Sequence, residues 1–207
     1  MNDITIKNRY PLPNIGELQD RLAKAKIFTK LDQRGAYNLI RMKEGEEWKT
    51  AIRTRYKHYE YLVMLFGLTN APATCQALVN NILREFLDRT VIAYLDDMLI
   101  YSETKDEHVK HVQDVLERLS QAGLLLNLEK CEFHKESVEF LGFVVSTIGI
   151  RMSPEKIKAI AEWPTLHDVR LVQSFLGFAN FNRRFIEGYS KKALPLIDVT
   201  KKNVGFR

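Results

Sequence analysis

Apolar and polar residues follow two different periods along this chain, one typical of strands and one typical of helices. Apolar runs at 27–31 and 91–101 have the length of short buried strands, and the second run is interrupted only by Asp96 and Asp97. Because aspartate is depleted within strands and favoured in turns, we expect this pair at the tip of a hairpin. Further strands are predicted at 48–54, 59–64, 124–128 and 138–145.

Helical spacing of apolar residues is clearest at 104–122, where Gly123 supplies a stop signal. The residues expected to face inward there are Val109, Val112, Val115, Leu116 and Leu119. Four more helices are predicted at 14–25, 70–87, 153–163 and 169–185. The order of elements indicates an α+β fold, in which a mixed part of strands and helices is followed from about residue 150 by an all-helical part.

Composition narrows the class of protein. Of the 207 residues, 45% are hydrophobic and 28% are charged, which is ordinary for a folded globular domain. Cys75 and Cys131 form no CxxC motif, so the sequence indicates neither a zinc site nor a disulfide framework. No apolar run approaches the ~20 residues that cross a membrane, and the N-terminus has no signal-peptide core, so no membrane partner is expected.

The positive charge is concentrated in the last quarter of the chain. Residues 151–207 carry 11 Lys and Arg against 5 Asp and Glu, a net charge of +6, whereas residues 1–150 carry 20 against 21. A basic segment that follows an acidic one favours a polyanionic partner. A solvated helical surface with surplus lysine explains the same charge equally well.

A third carboxylate changes the interpretation of the Asp96–Asp97 pair. Asp32 ends the predicted strand at 27–31, and a sheet that placed it beside Asp96 and Asp97 would form a two-metal site. Such sites stabilise the attacking and leaving oxygens of a phosphoryl displacement. The simpler alternatives are an acidic turn in solvent and, for Asp32, a helix N-cap after a strand.

Seven segments together resemble the reverse transcriptases of gypsy-class LTR retrotransposon Pol polyproteins. They lie at 9–13, 31–37, 66–74, 94–97 (Tyr-Leu-Asp-Asp), 130–133, 140–143 and 175–180. The resemblance implies a right-hand polymerase, with a palm of antiparallel sheet backed by helices, partial fingers and a helical thumb. Fingers and palm would occupy 1–149, with the fingers at about 1–26 and 44–65, and the thumb would occupy 150–207.

The resemblance also implies a reaction and its requirements. The chain would be an RNA-directed DNA polymerase, a nucleotidyltransferase that adds deoxynucleotides to a primer 3′-hydroxyl. Its partners would be a primed RNA or DNA template and a dNTP, and its cofactors two Mg²⁺ ions, with Mn²⁺ as a substitute. RNase H and integrase are expected elsewhere in the parent polyprotein. The expected location is the cytoplasm, in a virus-like particle of the parent element, or the nucleus.

Site residues follow from the matching positions. Asp32, Asp96 and Asp97 would bind the metals, and Lys130 would protonate the leaving pyrophosphate. Five residues would lie at the nucleotide: Gln33 through its carbonyl, Tyr37 as a barrier to a ribose 2′-hydroxyl, Phe66, Gly67 and Gln76. Phe140, Leu141, Gly142 and Phe143 would form the primer grip. Plainer explanations also exist: a core tyrosine for Tyr37, an exposed helical glutamine for Gln76 and a surface lysine for Lys130. The pair Phe66 and Gly67 would then be an ordinary glycine-containing loop, and 140–143 a buried strand.

The sequence also departs from the family pattern. Leu65 stands where proline is usual, Cys75 where phenylalanine is usual, and Asn38 and Leu39 where His-Gln is usual. By comparison with the family, fingers sequence is expected upstream of Met1, which suggests a fragment. The alternative function is therefore a truncated or decayed retroelement fragment that binds nucleic acid without polymerising. A metal-dependent phosphoryl-transfer enzyme of another type leaves residues 66–74 unexplained.

Overall fold

A computed structural model describes residues 2–13 and 17–201 and divides the chain into two compact units. The first unit comprises the described residues through Phe140 together with Val145–Gly149. The second comprises Leu141–Val144 and the described residues from Ile150 onward. The predicted helix cap Asn14 lies outside the described residues.

The first unit mixes strands and helices, and the second is mainly helical. The strands are Ile27–Asp32 (β1), Ile52–Arg53 (β2), His58–Tyr59 (β3), Val91–Tyr94 (β4), Asp97–Ser102 (β5), Glu132–Lys135 (β6), Ser137–Phe140 (β7), Phe143–Ser146 (β8) and Gly149–Met152 (β9). The α-helices are Leu18–Leu22 (α1), Ala71–Ile82 (α2), Lys105–Gln121 (α3), Pro154–Ala161 (α4), Val169–Phe181 (α5) and Tyr189–Asp198 (α6).

Strands β4, β5, β1 and β6 form an antiparallel sheet in that order. One face of this sheet presents Leu31, Met98 and Ile100, which are fully buried. Helices α2 and α3 cover that face, with Val79 of α2 and Val115 of α3 in the same apolar cluster. Strands β7, β8 and β9 form a separate three-stranded sheet, and β2 pairs with β3. The predicted palm architecture, antiparallel sheet backed by helices, is confirmed.

Helix α3 shows how local sequence sets its own ends. Thr104 caps the helix by accepting a hydrogen bond from the Glu107 amide, and Gly123 follows the helix with a φ of +70°, which favours glycine. The predicted span is therefore confirmed. One predicted inward position is wrong, because Val109 is 40% exposed while the neighbouring His108 is fully buried.

Several predicted elements differ in the structure. No strand forms at 124–128, where Leu126 makes a single bridge to Gln33, and the sheet is extended by β6 instead. The strand predicted at 138–145 is two strands, separated by Leu141 and Gly142 with φ values of +53° and +73°. Helix α2 ends at Ile82, before the predicted end near Leu87, and the segment predicted to start strand 48–54 begins as a 3-10 turn, Glu47–Thr50.

His108 is buried because two hydroxyl groups satisfy its ring. Thr29 Oγ1 lies 2.8 Å from its Nε2 and Ser102 Oγ lies 2.8 Å from its Nδ1. Burial lowers the pKa of His108 from 6.5 to about 4, with smaller contributions from His134 and His111. The neutral imidazole is therefore the form that fits the folded protein.

The low pKa of His108 predicts a loss of stability in mild acid. The unfolded chain binds a proton at His108 near pH 6.5 but the folded chain only near pH 4. Its contribution is therefore complete above about pH 6.5 and is lost as the pH falls toward 4, by roughly 3 kcal/mol at most. Urea unfolding at a series of pH values measures this, and His108→Gln should flatten the slope whereas the exposed-site control His58→Gln should not. An equal slope in all three proteins would contradict the assignment.

Candidate active site

The acidic pair lies at the hairpin between β4 and β5. Tyr94 pairs with Asp97 across the strands, and Leu95 and Asp96 form the two-residue turn. Leu95 has a φ of +57°, a left-handed conformation that costs a non-glycine residue about 1–2 kcal/mol. Asp96 is exposed at the tip, and Asp97 is half-buried as the first residue of β5.

The third carboxylate, Asp32, lies directly opposite Asp97. The two residues are register partners in the antiparallel pair of β1 and β5. Side chains of such partners lie on the same face, with their Cβ atoms about 4.5–5.5 Å apart. The Gln33 amide donates to the Asp96 carbonyl over 2.8 Å, which ties the turn to the end of β1. The structure thus places Asp32 opposite Asp97, with Asp96 on the adjoining turn.

The surroundings of Asp97 disfavour its negative charge. The pKa of Asp97 is raised, first by burial and then by Asp96 and Asp32, against opposing effects of Lys30 and Lys130. Repulsion among like charges of this kind is relieved when a cation binds.

The donor set fits a hard divalent cation. Within residues 2–13 and 17–201, no three His, Cys, Asp or Glu side chains converge closely enough to hold a metal by themselves. Mg²⁺ usually takes only one or two protein carboxylates and completes its shell with water and substrate phosphate. Asp32 and Asp97, with Asp96 adjacent, supply that number of carboxylate ligands.

Two aromatic residues of the predicted nucleotide site lie in contact. The rings of Tyr37 and Phe66 meet edge to face with centroids 4.7 Å apart. Phe66 is 71% exposed, so its ring is available to a ligand. The pKa of the Tyr37 hydroxyl is raised by burial and then by Cys75 and Asp96, which places the tyrosine within electrostatic reach of the acidic turn. Gly67, next along the chain, has a φ of +87°.

Gln76 lies in the interior of the protein. Its side chain is fully buried, so the prediction of an exposed helical glutamine is wrong. The side chain also has no exposed surface that could contact a template or nucleotide. The reason is that the Gln76 amide bonds to the β4–β5 turn, accepting from the Leu95 amide and donating to the Ala93 carbonyl. No pattern in the sequence signals this partner.

Lys130 lies beside the acidic site with most of its side chain in solvent. Its Nζ is 3.9 Å from Asp32 Oδ2, and the side chain is 66% exposed. An exposed pair at this distance contributes little to stability. Its position near Asp32 is compatible with contact to a bound substrate.

The side chain of Gln33 is buried without hydrogen bonds to the described residues, which the sequence did not predict. Gln33 is only 4% exposed, and within the described part of the chain neither Oε1 nor Nε2 has a hydrogen-bond partner. An unsatisfied buried amide costs about 1–3 kcal/mol. The only sequence signal is a polar residue directly after the strand that ends in Asp32.

Gln33→Leu is therefore expected to raise the free energy of unfolding by roughly 1–3 kcal/mol, because leucine removes the unpaired polar atoms. The matched comparison is Gln76→Leu, which should lower it, since that amide is fully buried but hydrogen-bonded. Denaturant unfolding of both variants measures whether each free energy of unfolding rises or falls. A destabilised Gln33→Leu protein would mean that the amide has a structural partner.

The predicted primer-grip residues form the turn between β7 and β8. Phe140 is fully buried in the first unit, and Leu141 and Gly142 make the turn. In the second unit Lys156 Nζ donates to the Leu141 carbonyl over 3.3 Å and lies 4.0 Å from the ring centroid of Phe143. A Cβ added to Gly142 would lie 2.5 Å from Lys156 Cε.

Gly142→Ala should destabilise the protein by about 1–2 kcal/mol through the left-handed backbone, with a further loss if Lys156 leaves Phe143. The control is Gly177→Ala, at a position inside α5 where an added Cβ meets nothing within 4 Å. That variant should gain up to about 1 kcal/mol from helix propensity. Thermal unfolding of both proteins is the measurement, and equal stabilities would contradict the expected contrast.

Comparisons with known proteins identify the family of this chain. The sequence profile described as "Reverse transcriptase (RNA-dependent DNA polymerase)" matches residues 1–145. The chain belongs to this family, as its motifs predicted. It is 43% identical over 98% of its length to the "Retrovirus-related Pol polyprotein from transposon 297" of Drosophila melanogaster, and 41% identical over its full length to the "Transposon Tf2-3 polyprotein" of Schizosaccharomyces pombe.

The chain is much shorter than these relatives, spanning 19% of the first and 16% of the second. Its fold is similar to that of the foamy viral protease-reverse transcriptase in complex with double-stranded DNA, with a TM-score of 0.89 and 24% identity. That match covers 100% of this chain and 36% of the foamy viral chain. A second foamy viral structure, in complex with an RNA/DNA hybrid, matches 99% of this chain and 28% of its own with a TM-score of 0.83 and 24% identity.

Among the described residues, no helix is both long and apolar enough to cross a membrane.

Proposed function

We propose that this chain is a polymerase domain that adds deoxynucleotides to a primer 3′-hydroxyl under the direction of an RNA or DNA template. The observation that carries the proposal is the placement of Asp32 opposite Asp97, with Asp96 on the adjoining turn, in a chain of the reverse transcriptase family. Three carboxylates on one edge of a sheet match the needs of metal-assisted phosphoryl transfer.

The proposed cofactors are two Mg²⁺ ions, which Mn²⁺ can replace. When bound, they would neutralise charge on the reacting phosphate and lower the pKa of the primer hydroxyl. Asp32, Asp96 and Asp97 would hold them. The pKa of Asp97 is raised first by burial and then by Asp96 and Asp32, and this supports the role, because a bound cation would favour the charged carboxylate.

The other residues of the site would position the substrates. Tyr37 and Phe66, already in contact, would bracket the sugar and base of the incoming dNTP, and Gly67 would allow close approach of the backbone. Lys130 would donate a proton to the leaving pyrophosphate, since it lies next to Asp32 and is open to solvent. The turn at Leu141 and Gly142 would support the primer end.

A cavity of about 790 Å³ in the first unit supports binding of a single-stranded template. Its wall contains three basic residues, Arg41, Lys43 and Lys49, and the 62% exposed ring of Trp48. Glu46 also lines the cavity and pairs with Lys49 and Lys43, so the wall keeps a net positive charge. Basic side chains beside an exposed aromatic ring bind single strands through phosphate contacts and base stacking. The foamy viral structures that share this fold hold double-stranded DNA or an RNA/DNA hybrid.

We assign residues 1–149 to partial fingers and palm and residues 150–207 to the thumb. The parent polyprotein would carry RNase H and integrase elsewhere and act in a cytoplasmic virus-like particle or in the nucleus. The relatives of the chain are transposon polyproteins, which supports the polyprotein part of this context.

The test is primer extension with Mg²⁺ on primed RNA and DNA templates, together with binding of the same duplexes at several salt concentrations. Template-complementary incorporation would support the proposal. Binding without incorporation would overturn it in favour of a nucleic-acid-binding remnant. The departures from the family pattern at Asn38, Leu39, Leu65 and Cys75 are the observation that favours that alternative.

A further inference from the structure

A continuous chain of side-chain hydrogen bonds connects the acidic turn to the N-terminal segment. At one end, Gln76 Oε1 accepts from the Leu95 amide over 2.8 Å and Nε2 donates to the Ala93 carbonyl over 3.0 Å. A peptide N–H only donates and a carbonyl only accepts, so the orientation of the Gln76 amide is fixed. The two hydrogen bonds join Gln76 to the residues on either side of Tyr94, the last residue of β4.

The chain continues outward along α2. Gln76 Nε2 also donates to Asn80 Oδ1 over 2.8 Å, one helical turn further on, and Asn80 Nδ2 donates to the Tyr10 hydroxyl over 3.2 Å. Each amide therefore uses its oxygen on one side and its nitrogen on the other. Three side chains thus form one path from Tyr10 to the backbone of Leu95.

Tyr10 belongs to an N-terminal segment that is hydrogen-bonded to the loop preceding α2. Asn70 binds this segment twice, since its Oδ1 accepts from the Asn8 amide and its Nδ2 donates to the Ile6 carbonyl. Further along, Asn2 donates to the Gly67 carbonyl and accepts from the Thr69 amide. Residues 2–10, which we call the strap, are therefore positioned by hydrogen bonds to the same loop and helix that carry Gly67 and Gln76.

The turn has a reason to need this support. Leu95 has a left-handed φ of +57°, which is unfavourable for a leucine and persists only where the surroundings hold it. The bond from its amide to the fully buried side chain of Gln76 is such a restraint, and although Leu95 itself is only part-buried, losing the bond would leave the Gln76 oxygen without this partner. The Leu95 amide belongs to the peptide that enters the turn, so holding it restricts the φ of Leu95 and with it the direction in which the chain leads into Asp96.

We propose that Tyr10, Asn80 and Gln76 are positioning residues that hold the Leu95 turn, so that docking of the strap on α2 sets the geometry of Asp96 and Asp97. Gln76 acts on the turn directly and Tyr10 acts through the two amides. The kinetic consequence rests on the proposed polymerase function, whereas the structural consequence does not.

Hydrogen exchange at the Leu95 amide in the 207-residue chain tests the structural part. Gln76→Leu should speed this exchange by about fivefold, the factor that corresponds to one net hydrogen bond. Tyr10→Phe, which removes one oxygen from a half-buried residue and should leave the fold intact, is expected to speed it by about twofold. The control is Gln121→Leu, which removes a similar amide bond, Gln121 Nε2 to Glu117 Oε1, from an exposed position on α3. It should leave the Leu95 amide unchanged.

A double variant separates coupling from independent damage. Once Gln76→Leu has cut the path, adding Tyr10→Phe should produce no further change at Leu95, because residues of one network are non-additive. Additive effects, or no effect of Tyr10→Phe on the Leu95 amide, would overturn the proposal. If Gln76→Leu fails to fold, the Tyr10→Phe and Asn80→Ala pair gives the same test.

Primer extension supplies the second readout. Tyr10→Phe should lower kcat for dNTP insertion by about twofold with KM unchanged, since a displaced carboxylate affects the reaction more than nucleotide binding. A wild-type chain that does not polymerise, with Leu95 exchange still coupled to Tyr10, would refute the proposed function and leave the positioning network standing. If the chain polymerises but Tyr10→Phe changes neither kcat nor exchange at the Leu95 amide, the positioning network is refuted and the proposed function stands.

Discussion

Asp96→Asn is expected to lower kcat for polymerisation by about 10²–10³-fold while the fold survives. The substitution keeps the size of the side chain but removes a negative charge from the proposed metal site, and loss of one electrostatic stabiliser of a transition state costs about 10²–10³-fold. The Asp96 backbone carbonyl still accepts from the Gln33 amide, and the side chain is exposed, so the turn should persist. Single-turnover insertion kinetics measure the loss.

Stability distinguishes a metal-binding role from a structural one. Asp96 raises the pKa of the half-buried Asp97, so removing its charge should leave the melting temperature unchanged or higher when no divalent cation is present. Added Mg²⁺ should then stabilise the variant less than the wild type, because a ligand that binds only the folded state stabilises it according to its affinity. Asp106→Asn, at an exposed position in the first turn of α3, is the matched control and should behave as wild type. A clear drop in melting temperature for Asp96→Asn would identify Asp96 as structural.

Tyr37→Ala is expected to weaken discrimination against ribonucleotides by up to about 10²-fold. If the ring occupies the space of a ribose 2′-hydroxyl, its removal opens that space, and rejection of one added hydroxyl by an apolar pocket is about 10²-fold. The edge-to-face contact with Phe66 fixes the ring in place, so some loss of overall rate from poorer positioning should accompany the change. The quantity to compare is kcat/KM for dNTP over rNTP in both proteins.

Tyr37→Phe is the control for the ring. It keeps the ring and its contact with Phe66 but loses the hydroxyl, so discrimination should be retained. A tyrosine of the core would behave differently, since truncating a fully buried aromatic residue costs about 3–5 kcal/mol and would slow both nucleotides alike. Tyr37 is only partly buried and packs on an exposed Phe66, so we expect a smaller loss of stability. An unchanged ratio together with a large drop in melting temperature would assign Tyr37 to the core.

The sequence by itself determined the elements whose signals are local. The hairpin at Asp96 and Asp97 followed from two aspartates inside an apolar run, and helix α3 followed from its period, its Thr104 cap and its Gly123 stop. Asp32 at the end of β1 was predicted for the same reason. In each case the residues that decide the structure lie within a few positions of one another, so a pattern along the chain records them.

Only the tertiary structure decided which polar residues are buried. His108 is buried in place of Val109 because Thr29, 79 residues away, satisfies its ring, and Gln76 turns inward because the amide of Leu95 and the carbonyl of Ala93 need it. Strand β6 likewise forms where β1 offers an open edge, and not at the apolar run 124–128. A polar group can be buried only if a partner reaches it, and partners from distant parts of the chain meet only in the folded protein.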